Sequence, residues 1–209
     1  MKAQRIFSTL IFTALVILSA ASAQAQSRGV AELKKRIMAE IAAGTYRQAV
    51  EPVEAASLAT EPSIMKEVSP LASFPKKQAL VGTWDVIITF ADGTPVKSTL
   101  QVFPGPADGE GSVIHASEFS FTPPNPTLPE QGSWQYTGGT QFVASYYGYS
   151  YAEDLSPFGK IGFRHLITVG ANPDLFTGRA VFEVIDASGQ VLFSDTVQTR
   201  GVRQRPLAP

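Results

Sequence analysis

From Leu80 to Phe90 the chain reads LVGTWDVIITF, and its polarity alternates. Trp84, Val86, Ile88 and Phe90 fall on one side; Thr83, Asp85, Ile87 and Thr89 fall on the other. Successive side chains of a strand point to opposite faces, so this period predicts a strand with one face turned to a core. Comparable runs recur to about Arg203: Val96 to Phe103, Ser112 to Phe121, Gly132 to Thr137, Gln141 to Tyr151, Lys160 to Val169, Leu175 to Asp186 and Val191 to Arg203. Turn formers separate them, among them Asp92-Gly93, Gly138-Gly139, Asn172-Pro173 and Ser188-Gly189, with a Pro-rich loop over 122–130. No connection carries the period of a crossover helix, so these strands in series imply an antiparallel meander. Closure of eight such strands removes both sheet edges. The expected fold is all-β, an eight-stranded antiparallel up-and-down barrel over residues 80–205.

Residues 26–79 follow a different pattern. Val30, Leu33, Ile37 and Ile41 share one helical face, and Gly44 is a natural stop. This stripe suits packing on the chain's own domain, contact with a protein partner, or a membrane surface; packing on its own domain is the plainest reading. From Glu51 to Lys77 the chain is rich in Ala, Glu, Ser and Pro with scattered single apolar residues, the composition of a linker with little fixed structure. Residues 1–25 have the form of a cleaved export signal: Lys2 and Arg5, an apolar run from Ile6 to Leu18, then Ala-Ser-Ala or Ala-Gln-Ala. They predict a periplasmic or extracellular protein with no transmembrane span after cleavage.

Charge narrows the field. The 209 residues carry 17 basic and 18 acidic side chains, for a net charge of −1, without the basic bias of a nucleic-acid binder. Cysteine is absent, which removes disulfides, thiolate nucleophiles and cysteine metal sites. No glycine loop has the spacing of a phosphate cradle and no serine stands in a nucleophile elbow, so no cofactor is expected. Asp108-Gly109-Glu110 lacks the ligand series of a calcium loop.

Gly82-Thr83-Trp84 at the head of the first strand resembles the G-x-W signature of lipocalins and the wider calycin barrels. The resemblance spans the barrel, just over half of the chain, and extends to small exported bacterial lipocalin-like domains. It implies that an arginine late in the last strand packs over Trp84. Arg203 is the match, with Arg200 and Arg205 as alternates. Geometry agrees independently, because the last strand of an even-numbered meander ends where the first begins, and a guanidinium over an indole face is a favourable stack. The lipocalin disulfide and the T-D-Y motif are absent.

Loop lengths then distinguish the two ends. The roomy loops, 122–130 and 152–158, share one end, which is the expected mouth; Trp84, Arg203 and the linker mark the expected floor. Parity with Trp84 turns Phe90, Trp134, Phe163, His165, Phe182 and Phe193 inward, with Val113, His115, Ser117, Phe119 and Phe121 on the third strand. On the fifth strand both faces stay open. Phe90, Phe119, Phe121, Tyr149, Tyr151, Phe163, His165 and Phe193 make a candidate binding set near the mouth, an aromatic collar for a small hydrophobic ligand. The expectation is an exported, non-enzymatic binding barrel. One alternative is a cyclase or isomerase with His165, His115 and Asp195 as acid and base on a hydrophobic substrate. Another is an envelope interaction module, since an eight-stranded barrel is often filled by its own side chains. It would work through outer tyrosines and a partner contact along the Val30–Ile41 helix.

Overall fold

A computed structural model describes residues 28–44, 76–122, 126–152 and 154–205. The residues expected to form an export signal and most of those expected to form a linker lie outside the described residues.

The strands are β1 (Gly82–Thr89), β2 (Pro95–Pro104), β3 (Glu110–Ser117), β4 (Glu130–Gly138), β5 (Gln141–Tyr151), β6 (Pro157–Val169), β7 (Leu175–Asp186) and β8 (Val191–Arg203). Each pairs with the next, and the sheet closes into a barrel where β1 meets β8. All pairings are antiparallel, and the closing register sets Trp84 opposite Arg203. The alternation along β1 becomes burial of Trp84, Val86 and Ile88, with Ile87 on the outer wall. Register shifts at Tyr136/Gly138, Ser150/Tyr151 and Val184/Ile185 supply the local bends that help a short sheet curl closed.

The floor is built from the chain's own strands. Trp84 donates its indole N–H to the Leu80 carbonyl at 2.8 Å and meets Phe176 edge-on, with ring centres 5.0 Å apart. A 3-10 turn, Lys76–Gln78, lies at this end, where Lys77 pairs with Asp108 of the β2–β3 loop at 3.4 Å.

The mouth is closed differently. A helix over residues 28–42, α1, ends at Gly44, whose φ of 65° suits glycine. Its Val30, Leu33 and Ile37 are buried in the same hydrophobic cluster as the barrel interior. Arg36 reaches Asp92 in the β1–β2 turn at 2.6 Å. The apolar stripe therefore packs on its own barrel, across the end with the longer loops.

One strand is shorter than its pattern suggests. Residues 112–121 alternate as a single run, but β3 stops at Ser117 and a helical turn, α2 (Glu118–Phe121), follows. Ser117 caps it by accepting from the Ser120 amide, and the Thr122 hydroxyl closes it on the Glu118 carbonyl at 2.7 Å.

Candidate functional site

The interior near the mouth has a polar wall and an apolar wall. The polar side comes from β3, β4 and β5. His115 Nδ1 lies 3.0 Å from Glu130 Oε2, and both side chains are almost wholly buried. Glu130 Oε1 accepts from the Ser120 hydroxyl at 3.2 Å, and Ser120 in turn lies 3.1 Å from Ser117 Oγ. Glu130 is turned inward by its strand, two and four residues before Gly132 and Trp134 on the same face. Gly148 makes room for it, because a Cβ there would stand 3.2 Å from both Glu130 Cγ and Thr127 Cγ2. Thr127 bridges Ser150 across the sheet, and the hydroxyls of both are buried with no hydrogen-bond partner among the described residues. His115 Nε2 is in the same condition.

A second polar group crosses the middle of the barrel. His165 Nδ1 lies 3.2 Å from the Tyr146 hydroxyl and Nε2 lies 2.7 Å from Thr199 Oγ1. Burial, helped by the neighbouring His115, pushes the His165 pKa down to about 3. The ring is therefore neutral and held by two hydroxyls. Burial, then the Glu130 charge, pushes the Tyr146 hydroxyl well above the usual phenol range, so it stays protonated. Tyr146 also stands beside His115, ring centres 5.1 Å apart, which links the two groups by contact.

The apolar side is aromatic. Phe182 is its centre, edge-on to Phe90 at 5.4 Å, to Phe119 at 5.4 Å and to Phe193 at 6.1 Å, and tilted on Phe163 at 5.3 Å. Above Phe119 lies Lys34 of α1, its ammonium 4.9 Å from the ring centre and bonded to the carbonyls of Phe119 at 3.0 Å and Thr122 at 2.5 Å. Those are open acceptors at the end of α2.

Of the candidate residues, Phe90, Phe119, Phe163, His165 and Phe193 lie in the interior together with His115. Phe121 does not: it is 67 % exposed and borders a shallow outer trough with Ile87 and Val202. Residues two apart on a helix point nearly opposite ways, so α2 sends Phe119 in and Phe121 out. Tyr149 is also outside, 60 % exposed, beneath Lys160. The inward face of β5 is Phe142, Ala144, Tyr146, Gly148 and Ser150, and Tyr151 is half-buried at the strand's end. Asp195 is half-buried, opposite Phe182, and accepts from the Thr196 amide at 2.8 Å. His165 bonds to Tyr146 and Thr199, so the structure does not assemble the expected histidine–aspartate pair.

Glu130, Ser120 and Lys34 are not among the candidate residues read from sequence, and Tyr146 belongs to one of the two faces left open on the fifth strand. Two had a legible signal. Glu130 shares the parity of Trp134, and Lys34 falls in the helical stripe with Val30, Ile37 and Ile41.

In overall shape the barrel is similar to designed fluorescence-activating barrels. EF1p2_mFAP2b, solved bound to DFHBI, superposes with a TM-score of 0.46 at 18 % identity, covering 62 % of this chain and 97 % of that one. The redesigned barrel mFAP1, also bound to DFHBI, gives a TM-score of 0.41 at 18 % identity, covering 62 % and 98 %. A fluorescence-activating barrel designed de novo gives 0.40 at 16 %, covering 63 % and 100 %. No protein-family model matches the sequence, and no curated protein does.

Proposed function

We propose that this protein is an exported container that takes a small apolar molecule into its barrel through the end covered by α1. The observation that carries the reading is the unlike closure of the two ends. The floor is continuous with β1 and β8 and locked by Arg203, which donates to the carbonyls of Val81, Ala79 and Pro173 over Trp84. The cover at the mouth is a separate helix that precedes residue 45 in the chain, whereas the floor segment begins at residue 76. Among the described residues, Val30, Leu33 and Ile37 hold the cover, with Ile41 packed beside them, the Arg36–Asp92 ion pair and Lys34. Burying those apolar groups is worth roughly 5–9 kcal/mol gross, against which stand the ordering of the helix and the dehydration of an ammonium. Such a cover can lift without unfolding the barrel. Beneath it lies an aromatic surface with a few polar groups, the composition of a site for a small apolar ligand.

Native mass spectrometry of the protein purified from its own cells, with organic extraction of the bound fraction, tests this directly. A stoichiometric small hydrophobe is the expected result. An empty protein that also leaves an apolar fluorophore unbound overturns it. Cell fractionation with N-terminal sequencing tests export: the expected mature chain begins after Ala23 or Ala25.

A further inference from the structure

His115 is 1 % exposed, yet its Nε2 has no hydrogen-bond partner among the described residues, while Nδ1 is committed to Glu130 at 3.0 Å. A buried polar atom left unpaired is costly, and most such atoms in folded proteins find a partner. What this atom offers follows from the pair it belongs to. A net charge inside a dry barrel is expensive, so the histidine and glutamate are favoured as a neutral unit. That holds for an imidazolium facing a carboxylate and equally for a neutral ring facing a carboxylic acid. In both arrangements one proton lies between Nδ1 and Oε2, and the other sits on Nε2. Nε2–H is therefore a donor without an acceptor. It belongs to a ring set edge-on to Phe163, centres 5.2 Å apart, and tilted against Tyr146 at 5.1 Å.

From this we infer that the ligand is a flat, conjugated, uncharged molecule with a carbonyl oxygen, and that His115 Nε2–H donates to that oxygen. The inference rests on the container reading and names the ligand class for the same site. Aromatic neighbours favour a flat body that stacks or packs edge-on. An uncharged acceptor keeps the interior neutral, where a carboxylate would add a charge. The unpartnered hydroxyls of Thr127 and Ser150 continue the polar wall toward the mouth. They can serve a second polar group on the same edge of the ligand. The opposite wall, with Phe90, Phe182 and Phe193, faces its apolar side.

Two probes of one shape separate the possibilities: 2-acetylnaphthalene, and 2-isopropenylnaphthalene, in which a methylene replaces the carbonyl oxygen. Both are titrated into the full mature chain. The ketone is expected to bind about tenfold tighter or better, the usual scale of one buried hydrogen bond. In His115→Asn the amide N–H keeps the bond to Glu130 while Nε2 is lost, and the preference is expected to shrink to less than about threefold. Equal binding of the two probes by the wild-type protein overturns the carbonyl assignment and leaves the container standing. A preference that survives in His115→Asn overturns His115 as the donor and likewise leaves the container standing. If neither probe binds, the container reading falls and this inference with it. Should the variant not fold, nitrogen-15 spectra of labelled histidine in the wild-type protein decide. The Nε2–H signal is expected to shift on adding the ketone and not the alkene, and a bound ketone that leaves it unmoved overturns the inference.

Discussion

The guanidinium carbon of Arg203 stands 4.1 Å from the centre of the Trp84 ring, on the seam where β8 closes against β1. Gly82 makes this possible: a Cβ there would lie 2.5 Å from Arg203 Nη1, and its φ of 137° is one that other residues avoid. The glycine and tryptophan of Gly82-Thr83-Trp84 thus serve one contact. The first clears space for a guanidinium, and the second supplies the face under it. Gly82→Ala is expected to cost about 2–4 kcal/mol in urea unfolding. Arg203→Lys is expected to cost a similar amount, because one ammonium cannot reproduce the fork that serves Val81, Ala79 and Pro173. A wild-type midpoint in both variants would contradict the account.

The His165–Thr199 bond depends on another glycine. At Gly178 a Cβ would lie 2.6 Å from both His165 Nε2 and Thr199 Oγ1. Thr199→Val preserves shape but leaves Nε2 unpaired, with an expected loss of about 1–3 kcal/mol. Acid should act on the same ring. Its pKa, pushed down to about 3, lies below the roughly 6.5 of an unfolded histidine. The unfolded chain therefore binds a proton that the folded chain refuses, and stability falls as pH drops from about 6.5 toward 3. Asp92, Asp154 and Asp186 are held below the usual carboxylate range and add their losses only at about pH 4 and lower. Unfolding measured between pH 6.5 and 4.5 should thus lose up to about 1.4 kcal/mol per pH unit, and His165→Gln should remove this contribution to the slope.

Strand order, closure and the Trp84–Arg203 contact were legible in the sequence because one face of every strand is buried, and burial writes itself as period two. The interior polar group was legible only in part. A four-residue helical turn is too short to break an alternation, so Ser117, Phe119 and Phe121 read as one strand face although α2 rotates the last of them outward. On β5 both faces carry aromatic residues, and size alone favours neither. The structure puts the small pair Gly148 and Ser150 inside because Glu130 and Thr127 occupy the space beside them. That is a fact about a neighbouring strand, which no single run of residues records. His115 and Glu130 lie 15 positions apart, and only the β3–β4 register brings them together.

The difference between the two aromatic positions on α2 can be measured. Phe121→Ser removes an exposed ring and is expected to change stability by less than about 0.5 kcal/mol and to leave probe binding intact. Phe182→Ala empties the centre of the aromatic wall, at an expected cost of about 3–5 kcal/mol. Equal effects of the two substitutions would show that the inner and outer faces have been assigned wrongly.

Lys34 offers the most direct handle on the cover. It is 1 % exposed, and burial pushes its pKa down to about 8 from the ordinary 10.5. An undocked α1 would hold that proton more firmly than a docked one, so raising the pH from about 8 toward 10.5 should tighten docking. The neutral amine can still donate to Phe119 and Thr122. Glu118 opens the turn below it, and the ion pair that ties α1 to the barrel, Arg36 with Asp92, keeps its charges through this window because Asp92 is held low. Entry of an apolar fluorophore, followed by stopped flow, is expected to slow between pH 7.5 and 9.5. Lys34→Met should flatten that dependence. Lys34→Glu, which sets a carboxylate against open carbonyls, should speed entry by about tenfold, equivalent to 1.4 kcal/mol of lost closure. Entry rates indifferent to pH and to both substitutions would mean that the ligand reaches the barrel by another route, and that α1 is a fixed part of its wall.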